Sequence, residues 1–192
     1  MILAGGGATR FGGRPKGLER VGGRRILDRL VEEFSAALGA APLLVANDPS
    51  AESWFPGLEV TADRVPGLGA LGGILTAVAA GPGPVVVAAW DMPFITRSLL
   101  SALAANLAGH DACLPASSGP RGMEPLCAAY GPACRPAIEA AVARGDPRAI
   151  GFHRDVDVYI LPEAEVRRCG DPARLFFNVN SADDLTRANE QA

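Results

Sequence analysis

The chain has 192 residues, of which 48% are hydrophobic and 20% charged, and its formal net charge is −3. Such a composition predicts one folded domain spanning residues 1–192 and excludes a disordered chain. The lack of a basic surplus, together with an aromatic content of only 6%, argues against nucleic acid or an anionic membrane as a partner. An anionic ligand must therefore be held by a local group of residues.

Strand and helix patterns alternate along the chain. The hydrophobic spacing predicts strands at residues 2–3, 42–47, 58–63, 85–90, 112–115, 126–130, 156–161 and 175–179, and helices at 24–39, 70–80, 96–107, 132–144 and from 181 onward. The strand at 85–90 is apolar on both faces, which is typical of a central parallel strand. This alternation predicts an α/β protein, a Rossmann-like three-layer α/β/α domain with a mostly parallel sheet.

Single residues mark where several of the helices begin or end. Gly39 is a stop signal for the first long helix, and Thr96 can cap the start of the helix that carries the leucines at 99, 100, 103 and 107. Ser181 with Asp184 three positions later resembles a capping arrangement for the last helix.

Cysteine spacing and one uncharged segment bear on the compartment. The four cysteines form no C-x-x-C pair and the two histidines lie far apart, which predicts reduced thiols in a cytoplasmic protein rather than a zinc site or disulfides.

Residues 65–90 carry no charge, but the Gly-Pro-Gly-Pro run at 81–84 interrupts any spanning helix, so no membrane segment is predicted. The first residues also lack the features of a signal peptide.

A glycine-rich segment at residues 5–13 follows the first strand. Glycine lets backbone N–H groups approach phosphate oxygens, and Arg10, Arg14 and Lys16 can supply positive charge. The segment matches neither the dinucleotide fingerprint G-x-G-x-x-G nor the P-loop G-x-x-x-x-G-K-[ST]. The residues favour a phosphate-binding loop, and a glycine turn with solvated arginines is the alternative.

Two aspartates follow apolar strands and are candidate ligands. Asp91 comes directly after the strand at 85–90 and precedes Met92-Pro93, so it is either a cap for the turn or a ligand for a metal at the sheet edge. Magnesium suits such a site because it prefers a few carboxylate oxygens together with phosphate and water. Asp63 ends another strand and either faces the same cleft or forms a turn.

The order of several motifs resembles the molybdenum cofactor guanylyltransferase family over nearly the whole chain. The motifs are Leu3-Ala4-Gly5-Gly6 with Arg10, Gly12 and Lys16-Gly17-Leu18, then residues 67–74 (GLGALGGI), 90–94 (WDMPF), 124–130 (EPLCAAY) and 177–185 (FNVNSADDL). The first motif is shared with many sugar and alcohol nucleotidyltransferases, whereas its combination with the Phe-Asn-x-Asn ending is much more specific.

This resemblance implies a nucleotidyltransferase fold and the transfer of GMP from GTP to the phosphate of molybdopterin, with release of pyrophosphate. It implies that Leu3, Ala4, Gly5 and Gly6 bind the guanine nucleotide and that Lys16 holds its phosphates. It further implies that Asp63 contacts the nucleotide and that Asp91 binds Mg²⁺ next to the α-phosphate. Lys16 and Asp91 are the implied catalytic residues, and Asn178 and Asn180 the acceptor-binding ones. Transient contact with molybdoenzymes or their chaperones is expected as well.

Three features depart from the family pattern. Ala70 stands where the family usually has proline, residues 145–169 follow the family weakly, and only two residues precede Leu3, so the true start is expected upstream. A molybdopterin cytidylyltransferase is the nearest alternative, but that group tends to open with Leu-Ala-Ala-Gly, and Gly5-Gly6 favours guanine. A non-catalytic nucleotide-binding partner is the alternative from another class, and the presence of both Lys16 and Asp91 argues against it.

Overall fold

A computed structural model describes residues 1–5 and 15–192, and its strands and helices alternate. The strands are β1 (Ile2–Leu3), β2 (Arg20–Val21), β3 (Arg24–Arg25), β4 (Leu44–Val45), β5 (Val60–Thr61), β6 (Val85–Ala89), β7 (Ala112–Pro115), β8 (Cys127–Tyr130) and β9 (Val158–Leu161). The helices are α1 (Ile26–Leu38), α2 (Gly69–Ala79), α3 (Arg97–Ala105), α4 (Cys134–Ala143), α5 (Glu163–Cys169), α6 (Pro172–Leu175) and α7 (Ala182–Glu190).

Seven of these strands form the central sheet, in the order β5-β4-β1-β6-β8-β7-β9. Strands β5, β4, β1 and β6 are parallel, and β7 pairs with β9 in parallel. Strand β8 runs antiparallel to both β6 and β7. The prediction of a mostly parallel α/β fold is therefore confirmed. Strand β6, expected to be a central parallel strand, is parallel to its neighbour β1 but antiparallel to its other neighbour, β8.

Side chains that alternate along the strands divide the core between the two faces of the sheet. Ile2 and Ala88 pack with α1 and α3 on one face, whereas Leu3 and Val87 pack with α2 and α4 on the other. Helix α1 packs against α3, and α2 against α4. The result is the predicted three-layer α/β/α arrangement, with a buried apolar layer on each side of the sheet.

The predicted helix signals act as expected. Helix α1 ends at Gly39, whose φ of 71° is in the left-handed region that glycine adopts without strain. The Thr96 side chain accepts a hydrogen bond from the Leu99 N–H at 3.4 Å at the start of α3. The Ser181 hydroxyl accepts one from the Asp184 N–H at 3.2 Å at the start of α7.

The prediction of a strand at residues 175–179 is wrong. Asp171 accepts a hydrogen bond from the Ala173 N–H at 3.1 Å and Pro172 follows it, so that a helical turn, α6, runs to Leu175. Beyond it the Val179 N–H donates to the carbonyl oxygen of Asp91 at 2.8 Å instead of joining a strand. The hairpin β2–β3 and helix α5 were not predicted, since both are short and lack a clear hydrophobic period.

The uncharged segment 65–90 folds as the end of a loop, helix α2 and strand β6. Within residues 1–5 and 15–192, no helix is both long enough and apolar enough to span a bilayer.

Candidate active site

A cavity of about 280 Å³ opens at the carboxyl ends of three adjacent parallel strands. Leu3, Val45 and Ala89, the last residues of β1, β4 and β6, form part of its wall. Ligands of open α/β sheets bind at this edge. Its other lining residues are Gly5, Lys16, Asp63, Gly69, Ala70, Gly73, Trp90, Asp91, Leu126, Asn178 and Asn180.

Seven of the nine predicted site residues line this cavity: Leu3, Gly5, Lys16, Asp63, Asp91, Asn178 and Asn180. Ala4 is buried beneath it, and the Ala4 N–H donates to the Val45 carbonyl oxygen at 2.8 Å, so that this N–H is already used by the fold. Gly6 lies outside the described residues, as do Arg10, Gly12 and Arg14 of the glycine-rich segment.

Lys16, Asp91 and Asn180 form the polar centre of the cavity. The Lys16 ammonium donates to Asn180 Oδ1 at 2.7 Å and lies 3.7 Å from Asp91 Oδ2, an ion pair longer than a hydrogen bond. The side chains of Lys16 and Asp91 are only 12% and 17% exposed. Burial raises the pKa of the Asp91 carboxyl, and the positive charge of Lys16 opposes that rise.

Lys16 is the single lysine among the 18 basic residues of the chain, all the others being arginines. A compact ammonium fits between a carboxylate and an amide oxygen in a small cavity, whereas the planar guanidinium of arginine is wider. The presence of a single lysine therefore identifies Lys16 as a candidate site residue without reference to any motif.

The residues around Asp91 fit a magnesium ion. Asp91 Oδ1 is buried and accepts no hydrogen bond from any described residue, so one carboxylate oxygen is free to act as a ligand. No cluster of three or more histidine, cysteine, aspartate or glutamate side chains occurs in the part of the chain that the structure describes. One such carboxylate oxygen suits magnesium, because this ion keeps several waters and takes further oxygens from phosphates.

Asp63 is fixed by Asn47, a residue that the sequence analysis did not single out. The Asn47 amide donates to Asp63 Oδ2 at 2.7 Å, and Asn47 Oδ1 accepts the Asp63 N–H at 2.8 Å. Asn47 follows β4 by two residues and Asp63 follows β5 by two residues. A search for polar residues just beyond each parallel strand would have found Asn47 as well.

Two tryptophans support the wall next to Lys16. Trp90 lines the cavity and stacks on Trp54, with 5.0 Å between ring centroids and 22° between ring planes. Gly17 lies against the Trp90 ring so closely that a Cβ atom there would come within 2.3 Å of it. Glycine is required at position 17 because the backbone next to Lys16 packs directly on this ring.

Glu124 is a further acidic residue near the site. Its carboxylate accepts a hydrogen bond from the N–H of Leu126, a residue of the cavity wall, at 3.2 Å. Burial raises the pKa of the Glu124 carboxyl, and the negative charge of Asp91 raises it further. The sequence analysis quoted the motif containing Glu124 but gave this residue no role.

A second cleft, of about 350 Å³, lies between α1 and residues 93–96 and 170–175 and contains none of the predicted site residues. Two of its carboxylates, Glu32 and Glu33, are already paired with Arg24 and Arg97. The cavity around Lys16 therefore has the better-defined chemistry.

Known proteins resemble this chain over almost its full length. A family model described as a MobA-like NTP transferase domain matches residues 1–157. The molybdenum cofactor guanylyltransferase of Mesorhizobium japonicum is 34% identical, over 98% of this chain and 92% of that protein. The probable molybdenum cofactor guanylyltransferase of Chloroflexus aggregans is 35% identical, over 96% of this chain and 90% of that protein.

The fold has a close match among solved structures. Molybdopterin-guanine dinucleotide biosynthesis protein A from Archaeoglobus fulgidus superposes with a TM-score of 0.83 and 28% sequence identity. The match covers 99% of this chain and 96% of that chain.

Proposed function

The chain belongs to the MobA-like NTP transferases and, within them, to the molybdenum cofactor guanylyltransferases, and from that premise we propose that it joins GMP from GTP to the phosphate of molybdopterin. The product is molybdopterin guanine dinucleotide, and pyrophosphate is released. One observation carries the assignment of the site: the single lysine of the chain lies beside a buried aspartate at the carboxyl edge of the sheet.

The reaction exchanges one phosphorus–oxygen bond for another. A phosphate oxygen of molybdopterin attacks the α-phosphorus of GTP, while the bond from that phosphorus to the oxygen bridging to the β-phosphate breaks. Pyrophosphate leaves with the electron pair of the broken bond. The attacking phosphate is already an anion at neutral pH, so no strong general base is needed.

The main task of the protein is to hold two anionic groups together and to neutralise their charge. Lys16 supplies a positive charge inside the cavity, where it is only 12% exposed and hence little screened by water. Asp63, held by Asn47 on both its backbone and its side chain, presents a fixed carboxylate to the nucleotide. Asn178 has its amide N–H bonded to the Phe176 carbonyl oxygen at 2.9 Å, which leaves its oxygen to face the acceptor.

Dependence on magnesium is part of the proposal. Asp91 would hold the ion through Oδ1, the carboxylate oxygen that has no hydrogen-bond donor among the described residues. The bound ion would neutralise charge on the α-phosphate as pyrophosphate departs. We also propose that the protein acts in the cytoplasm and hands its product to molybdoenzymes or their chaperones by transient contact. The four free cysteines support the compartment.

The decisive experiment measures pyrophosphate release with each of GTP, CTP, ATP and UTP, with and without molybdopterin. We expect release only when GTP and molybdopterin are both present. Faster release with CTP would favour a cytidylyltransferase. Binding of GTP without release under any of these conditions would favour a non-catalytic nucleotide-binding protein.

A further inference from the structure

The Lys16 side chain is anchored by the far end of the chain. Its ammonium donates to Asn180 Oδ1 at 2.7 Å, across 164 positions of sequence. Asn180 lies in the irregular segment between α6 and α7, where no helix or strand fixes its backbone. The position of this acceptor, and so of the ammonium, depends on what holds that segment.

Two backbone hydrogen bonds hold the part of the segment next to the cavity, at Val179 and Asn180. The Val179 N–H donates to the Asp91 carbonyl oxygen at 2.8 Å. The Asn180 N–H donates to Asp184 Oδ2 at 3.1 Å. Two successive N–H groups therefore connect the segment to Asp91 and to the first turn of α7.

The Asp184 carboxylate makes one contact beyond those of an ordinary helix-capping carboxylate. In a capping box the acidic side chain reaches back to the N–H of the capping residue itself, here Ser181. Asp184 Oδ2 accepts the Ser181 hydroxyl at 2.8 Å but also the N–H of Asn180, one residue farther upstream. Hydrogen bonds from Ser181 and Asn180 lower the pKa of the Asp184 carboxyl, so that it is ionised at neutral pH.

We infer that Asp184 is a positioning residue for the nucleotide site. It fixes the backbone of Asn180, whose amide oxygen in turn holds the Lys16 ammonium next to Asp91. The proposed function assigns no role to Asp184. The inference rests on that function in one respect, namely that Lys16 binds the nucleotide phosphates. Without the carboxylate, α7 loses a cap and Lys16 also loses its fixed place.

Chemical labelling tests this positioning without reference to activity. Because Lys16 is the only lysine, its acylation by a limiting amount of acetic anhydride can be followed on one peptide by mass spectrometry. We expect Asp184→Ala to raise the acylation rate of Lys16 by about threefold or more, since the ammonium loses a hydrogen bond that is largely shielded from water. Asp184→Asn keeps an acceptor oxygen and should restore most of the protection.

Two matched variants separate positioning from general effects. Asp183→Ala removes an exposed charge from the same first turn of α7 and should leave the acylation rate unchanged. Ser181→Ala removes the cap to the Asp184 N–H but leaves the Asp184–Asn180 bond. It should lower the melting temperature about as much as Asp184→Ala does, with little change in Lys16 acylation.

Nucleotide binding gives the second measurement. Asp184→Ala should weaken GTP binding about threefold to tenfold more than guanosine binding. This is less than the effect of losing a charged hydrogen bond outright, because Lys16 itself is still present. Trp90 lines the cavity, so its fluorescence can report both ligands. An unchanged or lower acylation rate together with an unchanged ratio of the two affinities would make Asp184 a helix cap only and overturn the inference. Failure of GTP to protect Lys16 from acylation in the wild type would instead count against the proposed function.

Discussion

Replacing Gly17 by alanine should destabilise the protein through one close contact. An added Cβ would lie 2.3 Å from Cε3 and 2.9 Å from Cδ2 of Trp90, whereas non-bonded carbon atoms pack at about 3.5–4.0 Å. Trp90 is 4% exposed and stacked on Trp54, so its ring cannot swing into solvent. The backbone at residue 17 or the whole tryptophan pair must therefore move by about 1 Å.

The cost of inserting a methyl group into a packed region is about 1–3 kcal/mol. For a chain of this length, each kcal/mol lowers the melting temperature by about 2–4 °C, which gives a loss of about 2–12 °C. Urea unfolding followed by tryptophan fluorescence gives the free energy of unfolding, and the slope against urea should stay the same. Because residue 17 follows Lys16, the KM for GTP should rise as well.

Gly73→Ala is the matched control. A Cβ at this position, in the interior of α2, would lie 3.5 Å from the Leu3 side chain, an ordinary contact. Alanine also favours a helix interior over glycine by up to about 1 kcal/mol. This variant should be as stable as the wild type or more stable. A Gly17→Ala protein that unfolds at the wild-type urea concentration would refute the assigned contact with Trp90.

Three further predictions concern charged groups. Lys16→Ala should weaken GTP binding by about 1.5–3 kcal/mol more than guanosine binding, as titrations with both ligands would show. Lys16→Arg should not restore GTP binding, because the guanidinium is wider than the ammonium. Asp91→Asn should lower turnover at least about 10²-fold at an unchanged melting temperature, and near-normal turnover in this stable variant would remove the metal role. Burial lowers the pKa of His153 to about 4, so the folded state holds the imidazole neutral while the unfolded chain takes up a proton below pH 6.5. The free energy of unfolding should therefore fall as the pH drops from 6.5 towards 4, and urea titrations at several pH values should show a smaller fall for His153→Gln.

The strongest elements could be predicted from local pattern. Helix α1 has apolar residues at three- and four-residue spacing and a glycine in the left-handed region at its end, so its bounds of 26–38 differ from the predicted 24–39 by only one or two residues. The shared cavity of Asp63 and Asp91 could be predicted because the carboxyl ends of parallel strands meet at one edge and each aspartate follows such a strand.

Pairing between distant segments could not be predicted in this way. Strand β8 has the apolar composition of its neighbours, and nothing in its four residues shows that it runs antiparallel to β6. Residues 175–179 have the composition of a strand, but Asp171 and Pro172 begin a helical turn and the Asp91 carbonyl oxygen takes the Val179 N–H. In both cases a tertiary contact decides between structures that the local sequence allows.

Asn180 illustrates the same limit inside the site. The family resemblance places it on the molybdopterin side, a role that stays a prediction, whereas the structure also pairs it with Lys16 at 2.7 Å. No spacing in the sequence relates positions 16 and 180, because the link depends on a tertiary contact, the hydrogen bond from the Val179 N–H to the Asp91 carbonyl oxygen.

The Lys16–Asp91 pair gives the cavity centre a balanced charge before any ligand binds. A carboxylate buried alone would carry a large desolvation penalty, and the ammonium 3.7 Å away offsets part of it. In the proposed function the same ammonium also faces the phosphates, so another cation would have to compensate part of the charge on Asp91. In the proposed function, a divalent ion bound by Asp91 would meet this need, because magnesium takes both carboxylate and phosphate oxygens as ligands. The buried ion pair is thus the reason that we expect nucleotide and magnesium to favour each other's binding in this cavity.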